Sequence, residues 1–374
     1  MRILFVTNNR FPPREGIGHH VLALARALRA HGCRVLVLAR GTGADWQEGE
    51  REGIPFRLFP YPRLKPFHHL LLRPGLQRWL DRHAGAADLL HLHLPLLPPL
   101  ATELPVAVTV HTPMLADTAA VREGLLQAPA MRLHARLFSR HYEQAWLDRA
   151  DLLFCVSAQV GRELARHYRL RGRMPEVLPN GVDPKRFAYR PLAGRENVVL
   201  YVGRLGPRKG LYRLLDAFAR LPRGRNRLVL LGEGPLARPL RRRARRLGIE
   251  PEVSFLGAGD HQQVLHWLHR AGCFVHPSDY EGFPLVLLEA MAAGAPVVTT
   301  PIGALEELGP EPPLRVAAPE VPALAEAIGE TLADVEGSQR RAAAARLLVV
   351  DRFDWRRIAL RLLVHYERLF RRAA

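Results

Sequence analysis

Short apolar runs alternate with stretches of helical apolar spacing along almost the whole chain. The first such unit has an apolar run at residues 2–7, helical spacing at 21–30 and a second apolar run at 34–39. Nearly continuous apolar runs are typical of strands covered on both faces, as in parallel sheets whose crossover helices pack on either side. The sequence therefore predicts an α/β protein built on doubly wound parallel sheets.

The same alternation continues through both halves. In the first half we predict strands at 54–58, 88–93, 106–111, 152–156 and 176–178, and helices at 67–83 (interrupted by Pro74-Gly75), 121–149 (broken at Pro129) and 157–168 (capped by Ser157). In the second half we predict strands at 198–202, 228–231, 253–256 and 273–276 and one from 297, with helices at 211–220, 236–247, 262–269, 284–293, 324–332, 340–349 and 355–370.

The length of 374 residues exceeds one ordinary core, so two domains are expected. Residues 187–195 have no clear period and contain Pro191 and Gly194, which places the linker there. We therefore predict an N-terminal domain at 1–187, a C-terminal domain at 188–350 and a closing helix at 351–374. Both domains are expected to be Rossmann-like sheets of one design, with a cleft between them.

The charge of the chain points to an anionic partner. The formal net charge is +18, mainly from arginine, with the densest run at 238–246. This excess favours nucleic acid, acidic lipid surfaces or phosphorylated glycans, although a solvated helix face explains most single arginines equally well. The three cysteines lack metal-type spacing and indicate a reducing compartment. With no recognisable signal peptide or spanning stretch, we expect a cytoplasmic protein or one on the inner face of a membrane.

Residues 276–300 carry the most informative local pattern. They read as a strand end, a glycine-bearing loop, a helix and another strand, with Pro284 in the first helical turn and Gly294 at the helix end. The amides of Gly282 and Phe283 precede this helix and are expected to point outward. Backbone amides at the start of a helix form an anion site.

Two carboxylates accompany this anion site. Glu281 lies in the loop, and Glu289 lies inside the helix close to two turns after its start, so both can face one cleft. A phosphate-sized site between two carboxylates suits a ligand that has both a diphosphate and several hydroxyls. A nucleotide sugar is such a ligand.

Further loops at strand ends carry ligand-type groups. Arg204 follows one strand and Lys209 opens the next helix, so the two cations can bracket a diphosphate. Gly232 follows another strand, and Leu256 closes a third, where it can line a base pocket. In the first half, Gly16 lies in the loop after the first strand, at the edge where open parallel sheets bind ligands. That loop lacks the three spaced glycines of the dinucleotide fingerprint, which disfavours a cofactor dehydrogenase.

This combination resembles the retaining GT-B glycosyltransferases of family 4, also described as glycosyl transferases group 1. The similarity extends over nearly the whole chain. It includes the loop of Gly16, the strands at 88–93 and 108–111, the segments 179–183, 201–205, 208–210 and 231–235, and most specifically 276–300. This sequence departs from the family 4 pattern in its first half. Glu15-Gly16 stands where paired glycines are common, and Thr112-Pro113 follows His111.

The resemblance implies roles for the second-half residues. Glu289 would hold the ribose hydroxyls of the donor nucleotide, and Glu281 would contact the donor sugar near the reacting carbon. Arg204 and Lys209 would neutralise the diphosphate. The sugar and distal phosphate would be held by the segment Gly282, Phe283, Pro284 and Leu285.

The resemblance also implies roles for the first half. Gly16 would let its loop approach the same phosphate, and His111 would sit over the donor sugar. The closing helix would pack back across the domains. The implied reaction transfers a glycosyl group from a UDP- or GDP-linked sugar to an acceptor hydroxyl with retention of configuration.

No Asp-x-Asp occurs in the chain, so neither a bound metal nor another cofactor is required. We expect a lipid-linked or phosphorylated glycan acceptor in cell-envelope or exopolysaccharide synthesis. The segments 63–82 and 132–149 mix arginine with apolar residues, so an anionic membrane surface is a further candidate partner, with solvated helix faces as an equal alternative.

Alternatives stay open at this stage. A nucleotide-sugar epimerase or a phosphorylase would share the fold. A basic nucleic-acid-binding protein would need arginines clustered on one groove-facing element, whereas here they are dispersed, so no nucleic-acid partner is expected. A zinc site at His91, His93 and His111 is conceivable, but without an acidic or thiol ligand these histidines are better explained as polar residues lining the cleft.

Overall fold

The computed structural model describes residues 1–13, 15–61, 68–120, 128–191 and 195–373. Within these ranges the chain forms two compact units. The first contains the chain up to Ala119, the stretch that ends at Asn180, and the C-terminal helix from Trp355; the second runs from Gly181 to Asp354. Each unit is an α/β structure on a Rossmann-like parallel sheet, so the predicted fold class is confirmed.

The first unit is built on an eight-stranded sheet. Its elements in chain order are β1 (Arg2–Arg10), α1 (Gly16–Ala30), β2 (Arg34–Arg40), β3 (Gln47–Arg51), β4 (Ile54–Phe59), α2 (His68–His83), β5 (Leu89–Leu94), β6 (Val106–Val110), α3 (Met114–Ala119), α4 (Ala128–His134), α5 (Arg140–Arg149), β7 (Leu152–Cys155), α6 (Ala158–His167) and β8 (Glu176–Val177). The strand order is β3-β4-β2-β1-β5-β6-β7-β8, parallel except for β3, which runs antiparallel to β4. The chain leaves β1 toward β2 and later returns to β5 on the other side, so the topological switch point lies between β1 and β5.

Apolar central strands and an amphipathic first helix form the core of this unit. Phe5 of β1 and Val108 of β6 are fully buried in the middle of the sheet. Helix α1 contributes Val21, Leu24 and Leu28, which recur at helical spacing and are also fully buried. Each such side chain contributes about 2 kcal/mol by leaving water.

The second unit is built on a six-stranded, fully parallel sheet. Its elements are β9 (Glu196–Val202), α7 (Leu211–Phe218), β10 (Arg227–Leu231), α8 (Ala237–Arg246), β11 (Val253–Gly257), α9 (His261–Arg270), β12 (Ala271–His276), α10 (Leu285–Ala293), β13 (Val297–Thr299), β14 (Arg315–Val316), α11 (Val321–Ala333) and α12 (Val335–Arg352). The strand order β11-β10-β9-β12-β13-β14 places the switch point between β9 and β12.

The last helix, α13 (Trp355–Ala373), belongs to the first unit. Its Tyr366 hydroxyl lies 2.5 Å from Nδ1 of His91. It starts at Trp355, as the predicted helix at 355–370 does, whereas residues 351–352 of the predicted closing segment at 351–374 complete α12. None of the helices within the described ranges is long and apolar enough to cross a membrane.

The units divide after Asn180 and not at the predicted boundary between 187 and 188. The residues that follow Asn180 already bind to the second unit. The amide of Val182 donates to the carbonyl of Phe353 at 2.7 Å, and the amide of Arg190 donates to that of Ala293 at 3.2 Å. Residues 192–194 of the predicted linker lie outside the described ranges.

Two helices are continuous or interrupted at other places than predicted. Helix α2 runs through Pro74-Gly75 without a break, because it buries Leu72, Leu76 and Leu80 on one face, and this burial outweighs the roughly 3 kcal/mol cost of an internal proline. The helical region before β7 changes to a π-helical turn at Ala135–Ser139, whereas Pro129 is simply the second residue of α4. Residues 63–67 and 121–127 of the predicted segments lie outside the described ranges.

Strand β3 was not predicted, because its sequence Gln-Glu-Gly-Glu-Arg has no apolar residue and all five residues are exposed. It forms by pairing with β4. The predicted cap of α6 is confirmed: the Ser157 hydroxyl accepts the amide of Val160 at 3.3 Å.

Candidate active site

Two loops meet at the switch point of the second sheet, one between β9 and α7 and the other between β12 and α10. Gly210 allows their close approach. Its φ of 60° is in the left-handed region, and a Cβ on it would overlap the carbonyl oxygen of Pro277. The amide of Asp279 also donates to the carbonyl of Arg208 at 2.7 Å. The loop that carries the predicted cations therefore touches the loop that carries the predicted carboxylate.

Lys209 and Glu281 form an ion pair at this junction. Their side chains are 21% and 13% exposed, and Nε2 of the buried His276 lies 3.6 Å from the same carboxylate oxygen. Burial acts to raise the pKa of Glu281, but Lys209 and then His276 outweigh it, so the pKa is held well below its usual range. Glu281 is therefore a fixed negative charge at neutral pH.

The loop before Glu281 is held by residues that the sequence did not reveal. Arg213 on α7 donates to the Asp279 carboxylate at 2.6 Å and to the Pro277 carbonyl at 2.8 Å. The Thr300 hydroxyl donates to the carbonyl of Ser278 at 2.5 Å. One arginine in so basic a chain carries no signal of its own. Arg213 could have been identified only from its spacing, because it follows Lys209 by about one helical turn.

The helix that follows this loop differs slightly at its start from the prediction. Helix α10 begins at Leu285, and Pro284 is the N-cap with ψ of 119°, not a residue of the first turn. Because its ψ is extended, Pro284 lies outside the helix and only directs the chain into the first turn. Gly294 ends the helix in the left-handed conformation, as predicted. The buried residues Gly282 and Phe283 lead into the first turn, where the amide of Leu287 donates to the carbonyl of Pro284 at 3.3 Å.

Glu289 lies in the second turn of α10. Burial raises the pKa of its carboxyl to about 7, and Arg186 acts in the opposite direction. Glu281 is thus ionised at neutral pH, whereas Glu289, eight residues later, is only partly ionised there. A carboxyl that titrates near neutral pH is suited to accept hydrogen bonds from ligand hydroxyls, which would replace the water it lost on folding.

The other predicted residues of this unit lie at the ends of adjacent strands. Arg204 is exposed after β9, in a turn fixed by the Tyr201 hydroxyl, which donates to the carbonyl of Arg204 at 2.9 Å. Gly232 follows β10, and a Cβ on it would overlap the carbonyl oxygen of Gly203. Leu256 is a residue of the edge strand β11, where it is 43% exposed. The three loops thus share the carboxyl edge of one sheet.

In the first unit, Gly16 is the first residue of α1 and lies in open space, with no heavy atom within 4 Å of a Cβ built on it. His111 directly follows β6 and is buried. It belongs to a cluster with His20 of α1 and His93 of β5, in which one ring nitrogen from each histidine lies within 4.8 Å of the others. The cluster lies beside the switch point of the first sheet.

Hydrogen bonds define the members of this cluster. Nδ1 of His20 lies 2.7 Å from Oδ1 of Asn180, so it carries the hydrogen and leaves Nε2 as a bare acceptor. Nδ1 of His93 lies 3.4 Å from Nε2 of His111. Among the described residues, neither Nε2 of His20 nor Nε2 of His93 has a hydrogen-bond partner. Burial lowers the pKa of His20 to about 4 and lowers those of His93 and His111 further, so the cluster is neutral.

The histidines that could hold a metal are not those of the predicted trio. His91 bonds Tyr366 at 2.5 Å and Thr109 at 2.7 Å, so both of its nitrogens are engaged, and His20 takes its place. The three remaining imidazoles could act as neutral ligands of a zinc-type ion or as hydrogen-bond partners of a bound hydroxyl. The cluster identified among the described residues contains no acidic or thiol group.

Two family models match the chain. Residues 183–347 match the model described as Glycosyl transferases group 1, and residues 14–186 match Glycosyltransferase Family 4. Glycogen synthase of Mycobacterium tuberculosis is 32% identical over 398 residues, which cover 96% of this chain and 92% of that protein. Phosphatidyl-myo-inositol mannosyltransferase of Mycobacterium leprae is 30% identical over 389 residues, which cover 98% and 96% of the two chains.

A solved structure has the same fold. The structure of Anabaena HepE in complex with UDP-glucose superposes with a TM-score of 0.76 at 22% identity, covering 98% of this chain and 99% of that one. At this identity the likeness shows the fold alone.

Proposed function

The chain belongs to the glycosyl transferases group 1 and glycosyltransferase family 4, and on this basis we propose that it transfers a sugar from a nucleotide diphosphate donor to an acceptor hydroxyl with retention of configuration. The observation that carries the proposal is the contact between Lys209 and Glu281 at the switch point of the second sheet. An open parallel sheet binds its ligand at this point.

The charges of the second unit fit a UDP- or GDP-linked sugar. In the proposed complex, Lys209 keeps its contact with Glu281 and also donates to the diphosphate, which Arg204 and the amides at the start of α10 contact as well. Glu289 accepts hydrogen bonds from the ribose hydroxyls, and Leu256 and Gly232 border the base and phosphate. HepE, which has the same fold, was solved with UDP-glucose. That complex supports a nucleotide-sugar donor here.

The chemical barrier lies in breaking the bond between the sugar carbon and the diphosphate. The leaving oxygen gains negative charge in the transition state, and preorganised cations and amides stabilise it without having to rearrange. Lys209, Arg204 and the first turn of α10 supply these groups, so the proposed mechanism needs no metal or other cofactor. Glu281, held ionised, would stand near the reacting carbon and favour positive charge on the sugar ring.

From the first unit we propose His111 and Gly16 as donor-side contacts. His111 is neutral because burial lowers its pKa, so it can hydrogen-bond a sugar hydroxyl at physiological pH. Gly16 opens α1 without a side chain, which leaves its amide accessible to a phosphate.

The proposed acceptor is a lipid-linked or phosphorylated glycan in cell-envelope or exopolysaccharide synthesis. The net charge of +18 favours an anionic partner, and a relative at 30% identity is named for a phosphatidylinositol acceptor. Leu133 and Leu137 are 57% and 54% exposed beside the exposed Arg132 and Arg136, a pattern suited to an anionic membrane surface. We accordingly propose a cytoplasmic enzyme that works at the inner face of the membrane.

Lys209→Ala tests the central contact, with Lys185→Ala as a matched control on an exposed lysine. A thermal-shift screen of UDP- and GDP-sugars should show stabilisation by a specific donor. We expect Lys209→Ala to lose this shift and acceptor-dependent turnover, while Lys185→Ala keeps both. Donor turnover without any acceptor would identify an epimerase, and a requirement for free phosphate would identify a phosphorylase. Either result would refute the transferase proposal.

A further inference from the structure

Three buried histidines converge in the first unit beside the switch point of its sheet. One ring nitrogen from each of His20, His93 and His111 lies within 4.8 Å of the others. Three atoms this close share a centre that is at most about 2.8 Å from each of them, whereas zinc binds imidazole nitrogen at about 2.0–2.1 Å. Shifts of less than about 1 Å would therefore bring all three nitrogens to bonding distance of one ion.

One separation inside the cluster fits tetrahedral coordination. Nδ1 of His93 and Nε2 of His111 are 3.4 Å apart. This is long for a hydrogen bond donated by N–H, which is usually about 2.9–3.0 Å, and it equals the edge of a tetrahedron with metal–nitrogen bonds of about 2.1 Å. Three imidazoles with a fourth position left open are a ligand set that zinc uses in proteins.

His20 already has the tautomer of a metal ligand. Its Nδ1 lies 2.7 Å from Oδ1 of Asn180, so Nδ1 carries the hydrogen. Its buried Nε2 has no hydrogen-bond partner among the residues that the structure describes. A metal-binding histidine usually donates its other ring hydrogen to an oxygen acceptor in this way. A buried lone pair without a donor costs stability, and a bound cation would remove that cost.

Aromatic neighbours position the rings before any ion binds. His93 stacks on His91 with ring centroids 4.5 Å apart, and its ring packs edge-on against Phe5 at 4.7 Å. Trp355 of α13 packs against His20 at 5.1 Å. Ligands whose orientation is fixed by their surroundings lose little conformational freedom when they coordinate an ion.

We propose that His20, His93 and His111 bind a divalent ion of the zinc type and that the bound ion inhibits sugar transfer. The ion takes the lone pair of one ring nitrogen of His111, which fixes the ring in the cluster, and it adds two positive charges beside the donor sugar. The sugar ring gains positive charge as its bond to the diphosphate breaks, so a nearby cation opposes the reaction. The inhibition rests on the proposed function, in which His111 contacts the donor sugar, whereas the binding of the ion does not.

Binding is measured on the full chain after dialysis against EDTA, by calorimetry with Zn²⁺ and by the visible absorption of bound Co²⁺, which reports tetrahedral geometry. His20→Asn removes Nε2 but keeps a nitrogen that can donate to Asn180. We expect it to weaken zinc binding at least about hundredfold. His141→Asn, at an exposed histidine of α5, is the matched control and should bind zinc as the wild type does. A wild type without tetrahedral cobalt absorption, or equal zinc binding by His20→Asn, would overturn the site.

A second variant, His93→Phe, keeps the test decisive if His20→Asn does not fold. Phenylalanine retains a ring that can pack against His91 and Phe5 but has no nitrogen to bind an ion. Zinc should raise the melting temperature of the wild type by mass action and leave that of His93→Phe unchanged. Equal stabilisation of both proteins by zinc would refute the assignment of these ligands.

Inhibition is measured as turnover with the free Zn²⁺ concentration set by a metal buffer, because the diphosphate of the donor also binds metal ions. We expect saturating zinc to lower the turnover of the wild type at least about tenfold, which corresponds to the loss of one hydrogen bond to the sugar. His20→Asn should lose none of its own metal-free turnover at the same zinc concentration. Unchanged or increased turnover of the wild type, or equal inhibition of both proteins, would refute an inhibitory site.

Zinc binding and donor binding are separate measurements, so the two proposals can fail separately. A wild type that binds zinc through the cluster but binds no nucleotide sugar contradicts the proposed function and not the metal site. A wild type that transfers sugar but binds no zinc contradicts the metal site alone.

Discussion

Replacing Glu289 by glutamine should stabilise the fold and weaken donor binding at the same time. The carboxyl has a pKa of about 7 in the folded protein against an ordinary value of 4.5. The folded state therefore binds its proton more tightly than the unfolded chain, and stability falls as the pH rises from about 4.5 through about 7. Glutamine keeps the shape of the side chain and removes this titration.

The difference between the two pKa values corresponds to about 3 kcal/mol of destabilisation once Glu289 is ionised. About 1 kcal/mol of it develops between pH 6 and pH 8. Glu289→Gln should therefore unfold at higher denaturant concentration than wild type at pH 8, and its stability should depend less on pH across this interval. Glu326→Gln, on the exposed face of α11, is the control and should change neither quantity.

Donor affinity should move in the opposite direction. An ionised carboxylate that accepts two ribose hydroxyls forms charge-assisted hydrogen bonds worth about 1.5–3 kcal/mol, so Glu289→Gln should raise the dissociation constant of UDP- or GDP-sugar about ten- to a hundredfold at pH 8. Denaturant titrations at pH 6 and pH 8 give the stability, and calorimetry gives the affinity. Unchanged donor affinity would refute the ribose role. An unchanged pH dependence of stability would refute the argument from burial.

Further changes test the rest of the site. Gly210→Ala should lower stability by about 2–3 kcal/mol, because the new Cβ meets the carbonyl of Pro277, whereas Gly206→Ala nearby should be tolerated; equal melting temperatures would disprove the close approach. Lys209→Met should raise the pKa of Glu281, because burial is then less opposed. The titration of the Glu281 carboxyl, followed by NMR in wild type and variant, should consequently shift to higher pH, and an unmoved titration would show that Glu281 is ionised by other means. Activity should survive dialysis against EDTA, since the proposed mechanism uses no metal; loss that zinc restores would point instead to the histidine cluster.

Local patterns predicted the architecture well because they follow from backbone geometry. Apolar runs bounded by helical spacing defined most strands of both sheets, and Gly294 and Ser157 marked a helix end and a helix cap at their observed positions. The elements that were predicted wrongly or not at all are those that tertiary packing determines. Strand β3 has no apolar signal, and α2 continues through Pro74 because its leucines are buried on one face.

The sequence alone determined the α/β class, two parallel sheets and the residue types at the strand ends of the candidate site. It could not determine that Lys209 contacts Glu281, because 72 residues separate them and Gly210 must pass against Pro277 to bring them together. Nor could it show that His20 replaces His91 in the histidine cluster, or that the rings of Trp46 and Trp79 stack on each other. Periodicity and turn chemistry are local properties of the chain, whereas these contacts depend on which strand ends the folded sheets place side by side.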